Sequence, residues 1–242
     1  MTISPRFLAA GDAALVVEFG TVIDPALIEA VQALDRALAG AALPGVIETV
    51  PSFRSLMVHY DPLAIGRDDL IERIGALETG SAASTEPGRR WLLPACYEAS
   101  FAPDLAHVAE ATGLLPDEVV ARHQATGFTV AVIGFLPGCP FLSGLGDPFD
   151  LPRRQEPRTR VPGGAVAVAQ KLSVIYPTES PGGWHLIGNC PLRLFDPAQQ
   201  RPALLAPGDG VSFRPIDLAE HARIRAAVSA GDYDPRRECV AP

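Results

Sequence analysis

Gly134-Phe135-Leu136-Pro137-Gly138-Cys139-Pro140-Phe141-Leu142 and Tyr176-Pro177-Thr178-Glu179-Ser180-Pro181-Gly182-Gly183-Trp184 are the two runs on which the reading of this chain turns. Glycine permits positive φ and close approach, whereas proline fixes φ and removes a backbone donor. Both runs therefore read as shaped loops and not as element interiors, and Val161-Pro162-Gly163-Gly164 has the same texture. Around them lie short β-like stretches at 128–133, 165–169, 173–176, 184–187, 192–195 and 211–214, cut by further Pro and Gly. That rhythm predicts a β-barrel or sandwich for the second part of the chain. Between the runs, Pro152-Arg153-Arg154-Gln155-Glu156-Pro157-Arg158, with Arg160, places four guanidinium groups in a chain of net charge −8. The two prolines keep them off one helical face. Two readings stay open: a solvated loop with Glu156 as local partner, or a clamp for carboxylate or phosphate.

Working outward, Trp91–Tyr97 reads as a strand, and 103–112 and 116–125 as helices separated by Gly113. Gly208-Asp209-Gly210 is a tight turn, and Asp217–Ala230 a surface helix in the tail. The first part has a different order. Residues 13–19 form a buried strand; Asp24-Pro25 caps and starts a helix carrying Leu27, Val31, Leu34 and Leu38, which Gly40 stops. Val46–Val50 and Ser55–Tyr60 are strands, and Asp68–Leu77 a second helix. This β-α-β-β-α order predicts a small α+β domain over 1–80, a small-residue linker over 81–90, and a mainly-β domain over 91–242.

With 242 residues, 48% of them hydrophobic and 20% charged, the composition is that of an ordinary globular protein. The acidic balance argues against nucleic acid or an anionic membrane as partner. No secretory leader or membrane span is legible, so Cys96, Cys139, Cys190 and Cys239 read as reduced thiols of a cytoplasmic protein. Several chemistries find no motif: no phosphate-binding G-x-x-x-x-G-K-[ST], no H-E-x-x-H, no G-x-S-x-G and no Met-Lys-Met biotin site. The five histidines lack metal-ligand spacing, so no metal is expected. Cys139 is either an exposed nucleophile or, more simply, a small apolar filler. His185 is either an acid–base group or an ordinary strand residue, and Trp184 a core anchor or a stacking platform. Lys171 is the single lysine against 19 arginines, from a total of 20 basic residues.

The ordered motifs G-F-x-P-G-x-P-F-L, P-R-R-x-E-P-R, V-P-x-G, Y-P, Ser180–Gly188 (S-P-G-G-W-x-L-I-G) and Leu194–Pro197 (L-F-D-P), with Leu204–Asp209, resemble the family of allophanate hydrolase subunit 1 and the 5-oxoprolinase B subunit over nearly the whole chain. The resemblance implies a small α+β domain followed by a cyclophilin-like β-barrel. It implies a heteromer whose partner is like allophanate hydrolase subunit 2 or the 5-oxoprolinase C subunit, with a site between the two chains. The family's activities are ATP-dependent opening of 5-oxoproline to glutamate, or carboxyl transfer within urea carboxylase. ATP use by the complex and a small carboxylate or amide substrate follow from it. On this resemblance Arg153, Arg158 and Lys171 would bind a carboxylate or phosphate. Gly163, Gly164, Gly182 and Gly183 would let backbone amides approach the ligand, and Tyr176, Trp184 and His185 would line the pocket. No catalytic residue is named. The alternative within the family is a regulator of a sensor histidine kinase, as KipI is. Three departures fall in these loops: Leu172-Ser173-Val174 stands for a Gln-Thr-Gly turn, Cys139 for an aromatic, and Asn189-Cys190 for Arg-Thr. A valine in place of that glycine is expected to be strained.

Overall fold

A computed structural model describes residues 5–77 and 88–241. The chain divides into two compact units, Met1–Glu86 and Pro87–Pro242. Most of the linker expected over 81–90 lies outside the described residues, and Arg90 already belongs to a strand.

In the first unit β1 (Arg6–Ala9), β2 (Ala14–Glu18), β3 (Val46–Pro51) and β4 (Ser55–Tyr60) form an antiparallel sheet in the order β1-β2-β4-β3. Two helices, α1 (Pro25–Ala41) and α2 (Arg67–Gly75), accompany it. Leu15 and Val17 of β2 and Leu56 and Val58 of β4 alternate onto one face, where they meet Val31, Leu34 and Leu38 of α1 and Leu70 and Ile74 of α2. Asp24 caps α1 by accepting from the Ala26 amide at 2.8 Å. Gly40 does not stop the helix. The chain continues to Ala41, and Ala42 takes the left-handed cap at φ 44. Leu43 packs against the core just beyond, and that contact fixes where the chain must leave the helix. Strand β1 is not legible from the sequence, because an edge strand with one neighbour carries little hydrophobic alternation.

The second unit begins with β5 (Arg90–Ala95), α3 (Leu105–Thr112), α4 (Pro116–Ala125), β6 (Phe128–Ile133) and β7 (Pro140–Ser143). It continues through β8 (Arg158–Val161), β9 (Ala165–Ala169), β10 (Leu172–Ile175), β11 (Ser180–Gly182) and β12 (His185–Asn189). β13 (Gly210–Pro215), α5 (Leu218–Ala230), a short 3-10 helix (Pro235–Glu238) and β14 (Cys239–Ala241) complete it. Eight strands pair in the order β12-β9-β10-β7-β6-β13-β5-β14, and β8 pairs with β11 in a separate ribbon. Ladder pairing does not close this sheet into a barrel among the described residues. Past the end of β5, however, Cys96 exchanges both backbone hydrogen bonds with Asn189 at the end of β12, at 2.9 and 2.8 Å. Trp91, Leu93, Phe128, Leu142, Val166, Val168, Ile187 and Phe213 fill its core.

Three expectations are corrected here. The Gly/Pro runs are not loops throughout: Pro140–Ser143 and Ser180–Gly182 are short strands, tolerated because each sits at the start of pairing or on a narrow ribbon. Residues 192–195 make only an isolated bridge between Phe195 and Ala203. Val174 is not strained, since it lies in regular β10 opposite Phe141 of β7. The left-handed residues are Gln170 (φ 52) and Lys171 (φ 62), which form the two-residue turn of the β9–β10 hairpin.

Candidate functional site

The two Gly/Pro-rich runs meet at a cavity of about 410 Å³. Phe135, Cys139 and Phe141 come from the first, and Tyr176, Pro181, Gly182, Gly183 and Trp184 from the second. Val174 of β10 and Arg153 and Pro157 of the arginine loop complete the lining. The walls are apolar and aromatic, with one guanidinium. Arg153 lies over the Trp184 ring, its Cζ 5.4 Å from the centroid, and Phe141 meets the same indole edge-on at 5.8 Å. Gly182 is required by packing, because a Cβ there would overlap the Tyr176 hydroxyl.

What holds the arginine loop in place is a carboxylate that sequence reasoning passed over. Asp104 sits at the N-cap position of α3, yet its side chain makes no cap hydrogen bond. It is buried and accepts from Arg158 Nη1 at 2.8 Å, Arg158 Nη2 at 2.7 Å, Arg154 Nη1 at 3.0 Å and the Leu186 amide at 2.7 Å. Burial alone would raise the Asp104 pKa. The Arg158 hydrogen bond, the Leu186 amide and the charges of Arg158 and Arg154 outweigh burial and hold it below the ordinary value. Two further bonds tie the same loop to β12 and its approach: Arg154 N to the Gly183 carbonyl at 2.7 Å, and His185 Nε2 to the Pro152 carbonyl at 2.9 Å. Of the three arginines between 153 and 158, Arg154 and Arg158 are thus occupied within the chain, and Arg153 alone faces the cavity.

The structure therefore brings together five of the residues expected at a site: Arg153, Tyr176, Gly182, Gly183 and Trp184. It places five elsewhere. Arg158 pairs with Asp104. His185 is buried in β12; its Nε2 donates to the Pro152 carbonyl, and its Nδ1 has no hydrogen-bond partner among the described residues. Lys171 sits in the exposed hairpin turn, its Nζ 2.9 Å from Asp147 and 3.7 Å from Asp150. The Asp147 hydrogen bond raises its pKa. Gly163 and Gly164 line a separate polar furrow of about 370 Å³ with Arg193 and Arg225 of the neighbouring segments. Gly164 (φ 84) is dictated by packing, since a Cβ would overlap the Cys190 carbonyl.

The cavity's thiol and phenol are both shifted away from their ionised forms. Burial pushes the Cys139 thiol up to about 12, and the residue is 1% exposed, which fits the filler reading. Burial, with a smaller contribution from Cys139, also pushes Tyr176 up to about 12. Among the described residues no cluster of His, Cys, Asp and Glu could hold a metal ion. No described helix is long and apolar enough to cross a membrane, and no disulfide joins the four cysteines among the described residues.

The sequence matches the carboxyltransferase domain, subdomain C and D, over residues 5–205. The chain belongs to this carboxyltransferase-domain family. The cavity and the arginine loop lie wholly inside the matched span. Among its relatives, the B subunit of 5-oxoprolinase from Bacillus subtilis (strain 168) is 36% identical over 228 residues, which is 88% of this chain and 93% of that protein. The crystal structure of TTHA0988 superimposes with a TM-score of 0.75 at 36% identity, over 84% of this chain; this chain spans 40% of that one. The Kluyveromyces lactis urea carboxylase superimposes with a TM-score of 0.77 over 97% of this chain and 24% of its own. At 22% identity the last speaks for the fold alone, a mixed α/β fold of carboxyltransferase type. The curated names are those of enzyme subunits, which favours the enzyme reading of this family member over the regulatory one.

Proposed function

We propose that this chain is the B subunit of a 5-oxoprolinase, a component of an ATP-dependent hydrolase complex that opens 5-oxoproline to glutamate. The supporting relatives are named for that enzyme. The observation that carries the reading is the lone guanidinium over Trp184 at the mouth of an otherwise apolar cavity. 5-Oxoproline is a small, nearly planar cyclic amide with a carboxylate. Its methylene edge suits Phe141, Val174 and Tyr176, and its carboxylate suits Arg153, because apolar walls strengthen the attraction between the two charges.

The cavity does not fit a nucleoside triphosphate. One arginine faces it where a triphosphate needs several cations or a glycine-rich amide cradle, and Arg154 and Arg158 are committed to Asp104. We therefore assign ATP binding, and the groups that activate the amide, to a partner of the 5-oxoprolinase C type. The thiol and phenol of the cavity, protonated at neutral pH, agree with activity that needs that partner. We read residues 91–242 as a cyclophilin-like barrel domain that follows an α+β domain; the Cys96–Asn189 bridge supports it. Thiols in place of disulfides fit a cytoplasmic protein.

The test is purification of the tagged chain from its native host with its bound subunits, followed by assay of ATP-dependent 5-oxoproline opening. Turnover that Arg153→Ala removes while the subunits still co-purify is the expected result. A stable assembly with no turnover on 5-oxoproline would overturn the substrate assignment.

A further inference from the structure

Phe135 has a backbone that its side chain disfavours. Its φ is 67, the left-handed region in which a bulky side chain crowds the following carbonyl and glycine does not. The loop is fixed there by three backbone hydrogen bonds: Gly134 N to Cys139 O at 3.1 Å, Leu136 N to Gly134 O at 2.8 Å and Cys139 N to Leu136 O at 3.0 Å. Gly138 (φ 75) anchors its far end, where a Cβ would come within 2.7 Å of Phe195 Cβ and 3.0 Å of the Leu194 carbonyl. Packing within the chain does not account for an aromatic at 135. The residue is 65% exposed, and among the described residues its one ring contact is edge-on with Tyr176 at 6.4 Å. A glycine would relieve the backbone and lose little burial. The ring nevertheless lines the cavity, at its lip.

We propose that Phe135 is a specificity-determining contact, an aromatic lip that closes on one face of a small cyclic amide held in the cavity. Strain retained at a binding loop, with an aromatic left open to solvent, is explained by a contact that forms only when ligand is present. The ring and Arg153 divide the recognition: Phe135 reads the flat ring, and Arg153 reads the carboxylate. This deepens the 5-oxoprolinase reading and rests on it.

The test uses the full chain with its co-purifying subunits and three probes: 5-oxoproline, 2-pyrrolidinone (the ring without the carboxylate) and glutamate (the carboxylates without the ring). Binding is followed by calorimetry in the wild type, Phe135→Gly and Phe135→Leu. Phe135→Gly is expected to weaken both cyclic probes about five- to tenfold, leave glutamate unchanged, and keep or raise the thermal midpoint. Phe135→Leu is expected to weaken the cyclic probes less, with no gain in thermal midpoint. Wild type that binds 5-oxoproline while Phe135→Gly binds it equally well overturns this inference alone. Wild type that binds no cyclic probe overturns the cavity assignment with it. Retained ring affinity with loss of a co-purifying partner from Phe135→Gly assigns the ring to an interface between chains and overturns the proposal.

Discussion

Arg153 and Arg158 are the same residue type in one loop, five positions apart in sequence, and they are expected to fail in different ways. Arg153 stacks on Trp184 and has no ion-pair partner among the described residues, so Arg153→Ala should weaken carboxylate ligands about tenfold or more with little change in stability. Titration of 5-oxoproline beside a urea melt separates the two effects. Asp104→Ala should instead cost about 3 kcal/mol, because it strands the Arg154 and Arg158 guanidiniums and the buried Leu186 amide together. Urea unfolding checks that figure. The acid behaviour of the clamp has a defined sign. With its folded pKa below the ordinary carboxylate value, Asp104 contributes stability in full above that ordinary value and loses it progressively as pH falls from there through the folded one.

At the scale of elements, the β9–β10 hairpin offers the cleanest experiment. Gln170 and Lys171 occupy left-handed positions that Asn-Gly suits better, so the double substitution Gln170→Asn, Lys171→Gly should stabilise the chain by about 1 kcal/mol. Because Lys171 engages Asp147 and Asp150 and not the cavity, ligand affinity should stay as it was; a loss of affinity would return Lys171 to the site. The helices and strands such as β6, β9 and β10 were legible in the sequence because helical spacing in α1 and short apolar stretches rich in valine are local signals. Strands β7 and β11 were not, because their Pro and Gly advertise turns, nor was β8, a basic stretch held between Pro157 and Pro162; in all three long-range pairing decides the outcome. The cavity was half legible for the same reason. Gly182, Trp184 and Tyr176 stand in one compositional run, whereas the Asp104 clamp joins residues 50 and 54 positions apart, and nothing local marks Asp104 as other than a helix cap.

For the molecule as a whole, every cavity-lining residue lies within Pro87–Pro242, one of the two compact units. That unit, expressed alone, should bind 5-oxoproline with the affinity of the full chain; calorimetry on the two proteins decides it. Its stability should also respond to mild acid. His123 of α4 is fully buried, hydrogen-bonded to the Tyr97 hydroxyl and Ser173 Oγ at 2.9 Å each, and burial lowers its pKa from 6.5 to about 3. Between those values the unfolded chain takes up a proton that the folded chain refuses, so stability falls as pH drops, by at most about 1.4 kcal/mol per unit. Burial and Arg225 lower the His221 pKa as well, which adds to the slope with the same sign. His123→Gln, which keeps a donor and an acceptor, should flatten the slope in urea melts between pH 6.5 and 4 while leaving the Asp104 loss at lower pH.

The hairpin turn has a practical corollary. Lys171 is the one side-chain amine in 242 residues and is exposed at the tip of β9 and β10. Acylating reagents that scatter over most proteins should modify this side chain at a single defined point. A fluorophore attached there, away from the cavity and sparing the thiols, would report the docking of other chains as a change in anisotropy.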